Sequence, residues 1–309
     1  MTDDGHEHAI EPIRRILCAT DTSEASQQAV NKAVALALHL DAELVLMYVS
    51  TTAEDDRDIP AMLATLREVK RLADEMLRHD KAALDGMVEA ARAAGATVQR
   101  HLVNGEPADE IVRAADEFDV DFLMTGTHGR TGLDKFMLGS VAERVIRTSR
   151  RPVLVARNPD YLPSEGYRRI LVPTDFSDNA KRAFELAARV GAKDCEIELL
   201  HCWRLPPGVG AGPTAVVESL IKSFDKEIHA RGQAVIEELT AGGATVTFHA
   251  VRQPPAQGVT ERISEGGFDL VVMGSHGRSG LSRFMLGSVA ETTIHHAPCS
   301  VMTVPELDD

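Results

Sequence analysis

Aromatic side chains are scarce: Phe, Trp and Tyr together supply 4% of the 309 residues, with a single Trp. A protein that reads nucleic acid by stacking bases would have little to stack them on. Basic charge is also short. Lys and Arg number 33 against 47 Asp and Glu, a net charge of −14, and both halves of the chain share the acidic excess, which argues against general attraction to nucleic acid or to an anionic membrane. The four cysteines, Cys18, Cys195, Cys202 and Cys299, have no CxxC spacing. Three lie in or beside apolar runs, as structural thiols do, so neither a metal nor a redox centre is expected from them. His6, His8, His295 and His296 are read as surface residues. No apolar run approaches the roughly 18 residues of a membrane helix, and the first residues are acidic where a secretory signal would be basic and then apolar. These absences predict a cytoplasmic protein with no membrane insertion and no nucleic-acid partner. A Walker-type GxxxxGK[ST] loop is missing as well.

What the chain does contain is a repeat. Gly126-Thr-His128-Gly129-Arg130-Thr-Gly-Leu-Asp-Lys-Phe-Met-Leu-Gly139-Ser140 returns as Gly274-Ser-His276-Gly277-Arg278-Ser-Gly-Leu-Ser-Arg-Phe-Met-Leu-Gly287-Ser288, an offset of 148 residues. Earlier in each half, Thr20-Asp21-Thr-Ser23 matches Thr174-Asp175-Phe-Ser177 at an offset of 154. The falling offset places insertions and deletions between the two motifs, where loops tolerate them. A chain of this length suits two domains of about 150 residues each. The expected division is residues 1–157, a linker at 158–166 with two prolines and a glycine, and residues 167–309.

Periodicity gives the same element order twice. In the first half, strands are expected at 16–19, 44–49, 97–103, 121–125 and 152–156, with helices at 23–40, 60–94, 107–117 and 140–148. In the second, strands are expected at 170–173, 196–202, 245–251, 269–273 and 300–304, with helices at 176–190, 215–241, 256–265 and 288–295. Segments 51–59 and 204–214, polar or rich in Pro and Gly, are expected to be mobile loops. Strands alternating with helices predict an α/β fold: two tandem doubly wound parallel sheets, covered on both faces.

In such a sheet ligands gather at the carboxyl ends of the strands, where the winding reverses. With strand one beside strand four, Thr20-Asp21 would meet the 126–140 loop across one crevice, and Thr174-Asp175 would meet 274–288 across another. Glycines at 126, 129 and 139 suit a backbone that turns with positive φ and brings its N–H groups close to an anion. The loop runs into a helix at Ser140, whose N-terminus adds positive potential. Arg130 and Lys135, and Arg278 and Arg283, put basic charge on an acidic molecule, and a bound polyphosphate is the simplest reason. Purely structural roles also fit. Ser140-Val-Ala-Glu143 and Ser288-Val-Ala-Glu291 have the pattern of a capping box, and Asp21 and Asp175 could be N-caps. A carboxylate beside phosphates would repel them, so these aspartates belong at a nucleoside end or reach phosphate through Mg²⁺. His128 and His276 have no repeated nucleophile or acid beside them and are read as loop-shaping or pocket-wall residues.

At these residues the chain resembles the universal stress protein family, in particular its tandem two-domain members. The family's ATP-binding signature, G-x2-G-x9-G-[ST], is matched in full by both copies. The resemblance implies that Asp21 and Asp175 contact adenosine, that Val49 and Cys202 meet adenine through backbone groups, and that Thr125 and Met273 line the same pocket. It implies that Gly129, Arg130, Gly139 and Ser140, with Gly277, Arg278, Gly287 and Ser288, hold the phosphates. Ala19, Thr20, Gly126, His128 and Val141 complete the candidate set in the first half; Pro173, Thr174, Gly274, His276 and Val289 do so in the second. The implied fold is a five-stranded parallel sheet of order 3-2-1-4-5, of the adenine nucleotide α-hydrolase-like type. Strands at 153–156 and 300–304 would pair to join the halves as an internal pseudo-dimer, and a homodimer is possible beyond it. The implied function is an ATP-binding stress-response switch, with Mg²⁺ accompanying the nucleotide; the alternative is a slow ATP hydrolase or nucleotidyl-transferring enzyme. Two departures stand out: Ala19 where the second half has Pro173, and Gln253 where the first half has Gly105.

Overall fold

The structure is a computed structural model that describes residues 11–51, 64–127, 138–158, 160–205, 208–209, 214–239, 244–277 and 286–306. Its first half runs β1 (Arg15–Ala19), α1 (Glu24–Leu40), β2 (Glu43–Ser50), α2 (Ala64–Ala93), β3 (Val98–Asn104), α3 (Pro107–Glu117), β4 (Phe122–Gly126), α4 (Ser140–Thr148) and β5 (Val153–Ala156). The second repeats it as β6 (Tyr167–Pro173), α5 (Asp178–Val190), β7 (Gly191–Cys202), α6 (Thr214–Leu239), β8 (Thr245–Val251), α7 (Pro255–Gly266), β9 (Leu270–Gly274), α8 (Ser288–His296) and β10 (Ser300–Val304).

Among the described residues the ten strands form one sheet of order β3-β2-β1-β4-β5-β10-β9-β6-β7-β8. Within each half the pairing is parallel in the order 3-2-1-4-5, as the alternation of elements requires. The halves join where β5 meets β10 antiparallel, Val155 opposite Val301 and Val153 opposite Thr303. The reversal at that seam turns the carboxyl edges of the two halves toward opposite ends of the molecule.

The strands nearest the seam are apolar on both faces because helices cover both. Ile16, Cys18, Leu154 and Met302 point into one core with α1, α2 and α5; Leu17, Val153, Val155 and Val301 point into the other with α3, α4, α7 and α8. Full burial of an Ile, Leu or Val side chain contributes about 1.5–3 kcal/mol, and both cores run continuously across the seam. The outermost strands β3 and β8 carry exposed residues between buried or half-buried ones, as the rim of a sheet allows.

Several boundaries differ from expectation. The first helix of each half starts one residue or more later, because Ser23 and Ser177 are N-caps whose hydroxyls accept from Ser26 N and Ala180 N. Strand β7 begins at Gly191, well before the expected 196, through a register shift that pairs Tyr167 with Gly191 and then Arg169 with Glu196. The polar run Lys193-Asp194 there hides the strand from a periodicity reading. The expected loops at 52–59, and most of 204–214, lie outside the described residues, as does the expected helix start at 60–63.

Candidate functional site

The strand order puts β1 beside β4 and β6 beside β9, with Cys18 level with Met124 and Leu171 with Val271. Each half's threonine-aspartate turn therefore emerges next to the start of its glycine loop. In the second half Pro173, Thr174, Asp175, Cys202, Met273, Gly274, His276, Gly277, Gly287, Ser288 and Val289 all line one crevice of about 190 Å³. Arg278 lies outside the described residues. Seven further lining residues were not singled out in the sequence: Ser177, Ala180, Leu200, Pro255, Val259, Ser275 and Ala290. Leu200, Val259 and Ala290 could have been found as apolar positions flanking the motifs, and Pro255 as the counterpart of Pro107 at the start of a helix.

Backbone bonds hold this crevice. Thr174 N donates to Leu200 O at 2.9 Å, tying the turn to β7, and Ser275 N donates to Val304 O at 2.8 Å, tying the loop's start to β10. Asp175 accepts from Ser177 N at 3.0 Å through Oδ1. Its other oxygen, Oδ2, lies 3.4 Å from where a β-carbon on Gly277 would stand. His276 shares a hydrogen bond with Ser275 Oγ at 2.9 Å through Nδ1. It therefore shapes the loop's entrance and also walls the crevice.

The first half repeats the frame. Thr20 N donates to Met47 O at 2.9 Å, and Asp21 Oδ1 accepts from Ser23 N at 3.0 Å and Ser23 Oγ at 2.6 Å. Ala19 closes β1, Val49 lies near the end of β2, and Thr125 and Gly126 end β4. Gly139, Ser140 and Val141 open α4. His128, Gly129 and Arg130 lie outside the described residues.

Three expectations need correction here. Asp21 and Asp175 are not N-caps: they brace the turn by accepting from the serine two residues on, and that serine caps the helix. The capping-box pattern is displaced by one residue. Gly139 and Gly287 are the N-caps, with no side-chain capping bond, and Ser140 and Ser288 are the first helical residues. The frame is fixed because Gly139 N donates to Thr127 O and Gly287 N to Ser275 O, each at 2.8 Å, closing the base of each loop. Glu143 then turns away to Arg147, which also reaches Glu291 of the other half at 3.1 Å.

The described motif glycines do not need positive φ; Gly129 lies outside the described residues. Gly139 has φ −67° and Gly287 φ −63°, and Gly126, Gly274 and Gly277 are not among the positive-φ residues either. What they supply is closeness. A β-carbon on Gly274 would fall 2.6 Å from Asn179 Nδ2, and one on Gly287 would fall 3.1 Å from Ser275 O. A helix opened by glycine presents the N–H groups of its first turn without a side-chain acceptor, the arrangement that favours an anion.

Cys202, at the crevice wall, has its thiol pushed up to about 11 by burial, and Cys18 and Cys299 are pushed up to about 12. These thiols stay protonated at neutral pH. Among the described residues no group of three metal-ligating side chains occurs, and no helix is long and apolar enough to cross a membrane.

The chain matches the model of the universal stress protein family over residues 12–157 and again over 166–305. A universal stress protein of Mycolicibacterium smegmatis is 27% identical over 308 residues, covering 94% of this chain and 96% of that one. Another, of Methanocaldococcus jannaschii, is 34% identical over 148 residues, covering 47% of this chain and 83% of its own. Among solved structures, a universal stress protein from Archaeoglobus fulgidus superimposes with a TM-score of 0.61 at 24% identity, over 96% of this chain and 97% of that one. A functionally unknown protein from Pseudomonas aeruginosa PAO1 does so with a TM-score of 0.66 at 15% identity, over 96% and 94%. Both share this fold.

Proposed function

Since the chain belongs to the universal stress protein family, we propose that it binds ATP in two crevices, one at the carboxyl edge of each half, and works as a nucleotide-dependent switch in a stress response. One observation carries this reading: the aspartate turn and the glycine loop of the second half line the same crevice, with Asp175 Oδ2 3.4 Å from a β-carbon on Gly277.

The residues fit a nucleotide by chemistry. The crevice is smaller than the roughly 300–1,000 Å³ that encloses a drug-sized ligand whole, so it takes the nucleoside end and leaves the phosphates to the loop. Asp175 and Asp21 accept from ribose or base. Val49 and Cys202 offer backbone groups to adenine, and Thr125 and Met273 wall it. The uncapped N–H groups at Ser140 and Val141, and at Ser288 and Val289, face the phosphates with the helix dipole behind them. Arg130 and Arg278 add basic charge. Mg²⁺, when present, enters with the phosphates.

A ligand shifts a conformational equilibrium only by its differential affinity for the two states. The switch therefore requires ATP to protect segments 128–137 and 278–285 from limited proteolysis. Cleavage patterns unchanged by saturating ATP would remove the switch, and turnover well above about 1 s⁻¹, typical of dedicated enzymes, would replace it with the hydrolase reading.

A further inference from the structure

The pseudo-twofold repeat breaks behind the aspartate turn, where α2 packs in the first half and α6 in the second. In the first half that place is filled by a polar cluster. Asp80 of α2 is 5% exposed and accepts from Tyr48 Oη at 2.7 Å and from Thr22 Oγ1 at 3.1 Å. The strand registers make Thr22 the counterpart of Phe176 and Tyr48 the counterpart of His201. In the second half the aromatic ring of Phe176 lies 4.5 Å from the His201 ring, and Arg231 of α6 stands over it with Cζ 4.7 Å from its centroid. The turn of the first half faces an acid; that of the second faces a cation.

Beneath this arginine is a cavity of about 230 Å³ between α5 and α6, with Phe184, Leu199 and Val235 as its apolar floor. Arg231 stands on its wall, with Lys181 and Asp178 beside it. No carboxylate among the described residues pairs with the Arg231 guanidinium, so its donors remain to be satisfied by water or by a ligand. The N-terminus of α5, a helix of 13 residues, opens on the same side and adds positive potential.

We propose that this cavity is a second ligand site, beside the nucleotide crevice and sharing Thr174, Ser177 and Ala180 with it, that takes a small organic anion with one aromatic ring and a carboxylate. The size supports a single ring: an apolar cavity of about 150 Å³ holds benzene, and this one adds room for a charged group. The floor takes the ring, and the planar guanidinium of Arg231 takes the carboxylate in the forked geometry that arginine favours. The first half, with the carboxylate of Asp80 against the corresponding turn, repels such a ligand.

Phenylacetate titrated calorimetrically into the full chain without nucleotide tests the assignment. The expected result is one saturable site per chain, weakened by roughly tenfold or more in Arg231→Glu and comparably weakened in Val235→Trp, which fills the floor while keeping the cation. Phenylacetamide, uncharged, should bind weaker by a similar factor. Unchanged far-ultraviolet circular dichroism shows that the variants fold; Arg231 is exposed and its replacement leaves no core defect. Absence of saturable binding overturns the proposal. Equal binding to Arg231→Glu, displacement by ATP, or equal displacement by inorganic phosphate overturns it as well.

Discussion

Asp175 and Gly277 face each other across the second-half crevice at van der Waals range, a β-carbon on the glycine falling 3.4 Å from Oδ2 of the aspartate. Alanine at 277 fits beside the carboxylate, whereas glutamate brings a second negative charge to it. Like charges at this spacing cost several kcal/mol at an intermediate dielectric. Gly277→Glu should therefore lower ATP affinity of that crevice by roughly 100-fold or more, with Gly277→Ala close to wild type. Calorimetric titration of the two variants checks this, and equal affinities would show that the glycine loop does not face the ligand.

A half-buried arginine paired with a buried glutamate anchors α7 to β7. Glu198 is 6% exposed and receives both Arg262 Nε and Nη2 at 2.6 Å. Removing one partner leaves a buried charge unmatched, at a cost of about 3 kcal/mol or more, whereas replacing both with apolar residues costs far less. Arg262→Met should lower the denaturation midpoint clearly, and the double change Glu198→Met with Arg262→Met should recover most of the loss. A double variant as unstable as the single one would contradict this.

Lys32 marks a second electrostatic feature. It is 2% exposed, its ammonium donates to Tyr161 O, and it lies 5.6 Å from the Tyr161 ring centroid. Burial lowers its pKa to about 8, against the opposing pull of Asp269 and Asp160. The unfolded chain keeps this proton to near pH 10.5. Between those values the unfolded state binds more protons than the folded one, so this group makes stability rise with pH. Below pH 8 its desolvation is a constant penalty. Lys32→Met abolishes that rise, and the midpoint difference, variant minus wild type, should fall as pH goes from 7 to 10. The buried tyrosines and cysteines oppose the trend equally in both proteins, so the difference isolates Lys32; a flat difference would show that Lys32 does not titrate in this window.

The seam between halves has its own anchor. Arg157 donates to Ile294 O and Ala297 O at the C-terminus of α8, at 2.5 and 3.0 Å, and its burial lowers its pKa. Arg157→Ala leaves those carbonyls unmet at a cost of about 2–3 kcal/mol, and hydrogen exchange should rise first in α8. The Arg147 bridge to Glu291 is part-exposed, so Arg147→Ala should cost no more than about 1 kcal/mol. A larger loss from Arg147 than from Arg157 would invert this ranking.

Fold and site were legible to different depths. The element order could be read because apolar runs such as 44–49 keep one period throughout, and the doubled motif fixed which strand ends belong together. Cap frames could not be read. Ser140 with Glu143 carries a pattern that suits a helix starting one residue later, whereas the structure makes Gly139 the N-cap, with Gly139 N donating to Thr127 O. Two of the glycines, Gly274 and Gly287, are selected by close approach of Asn179 and of Ser275 O, which a reading of turn geometry could not supply. Asp80, Glu198 and Lys32 looked like ordinary helix or strand charges, because burial by a distant segment leaves no trace in local sequence.

Native mass spectrometry of the full chain in saturating Mg·ATP tests the central claim most directly. Two ATP molecules per chain are expected, falling to one in Gly277→Glu with the first site intact. A wild-type chain that stays free of nucleotide at every ATP concentration would contradict the account, leaving a shared scaffold whose glycine loops serve some other purpose.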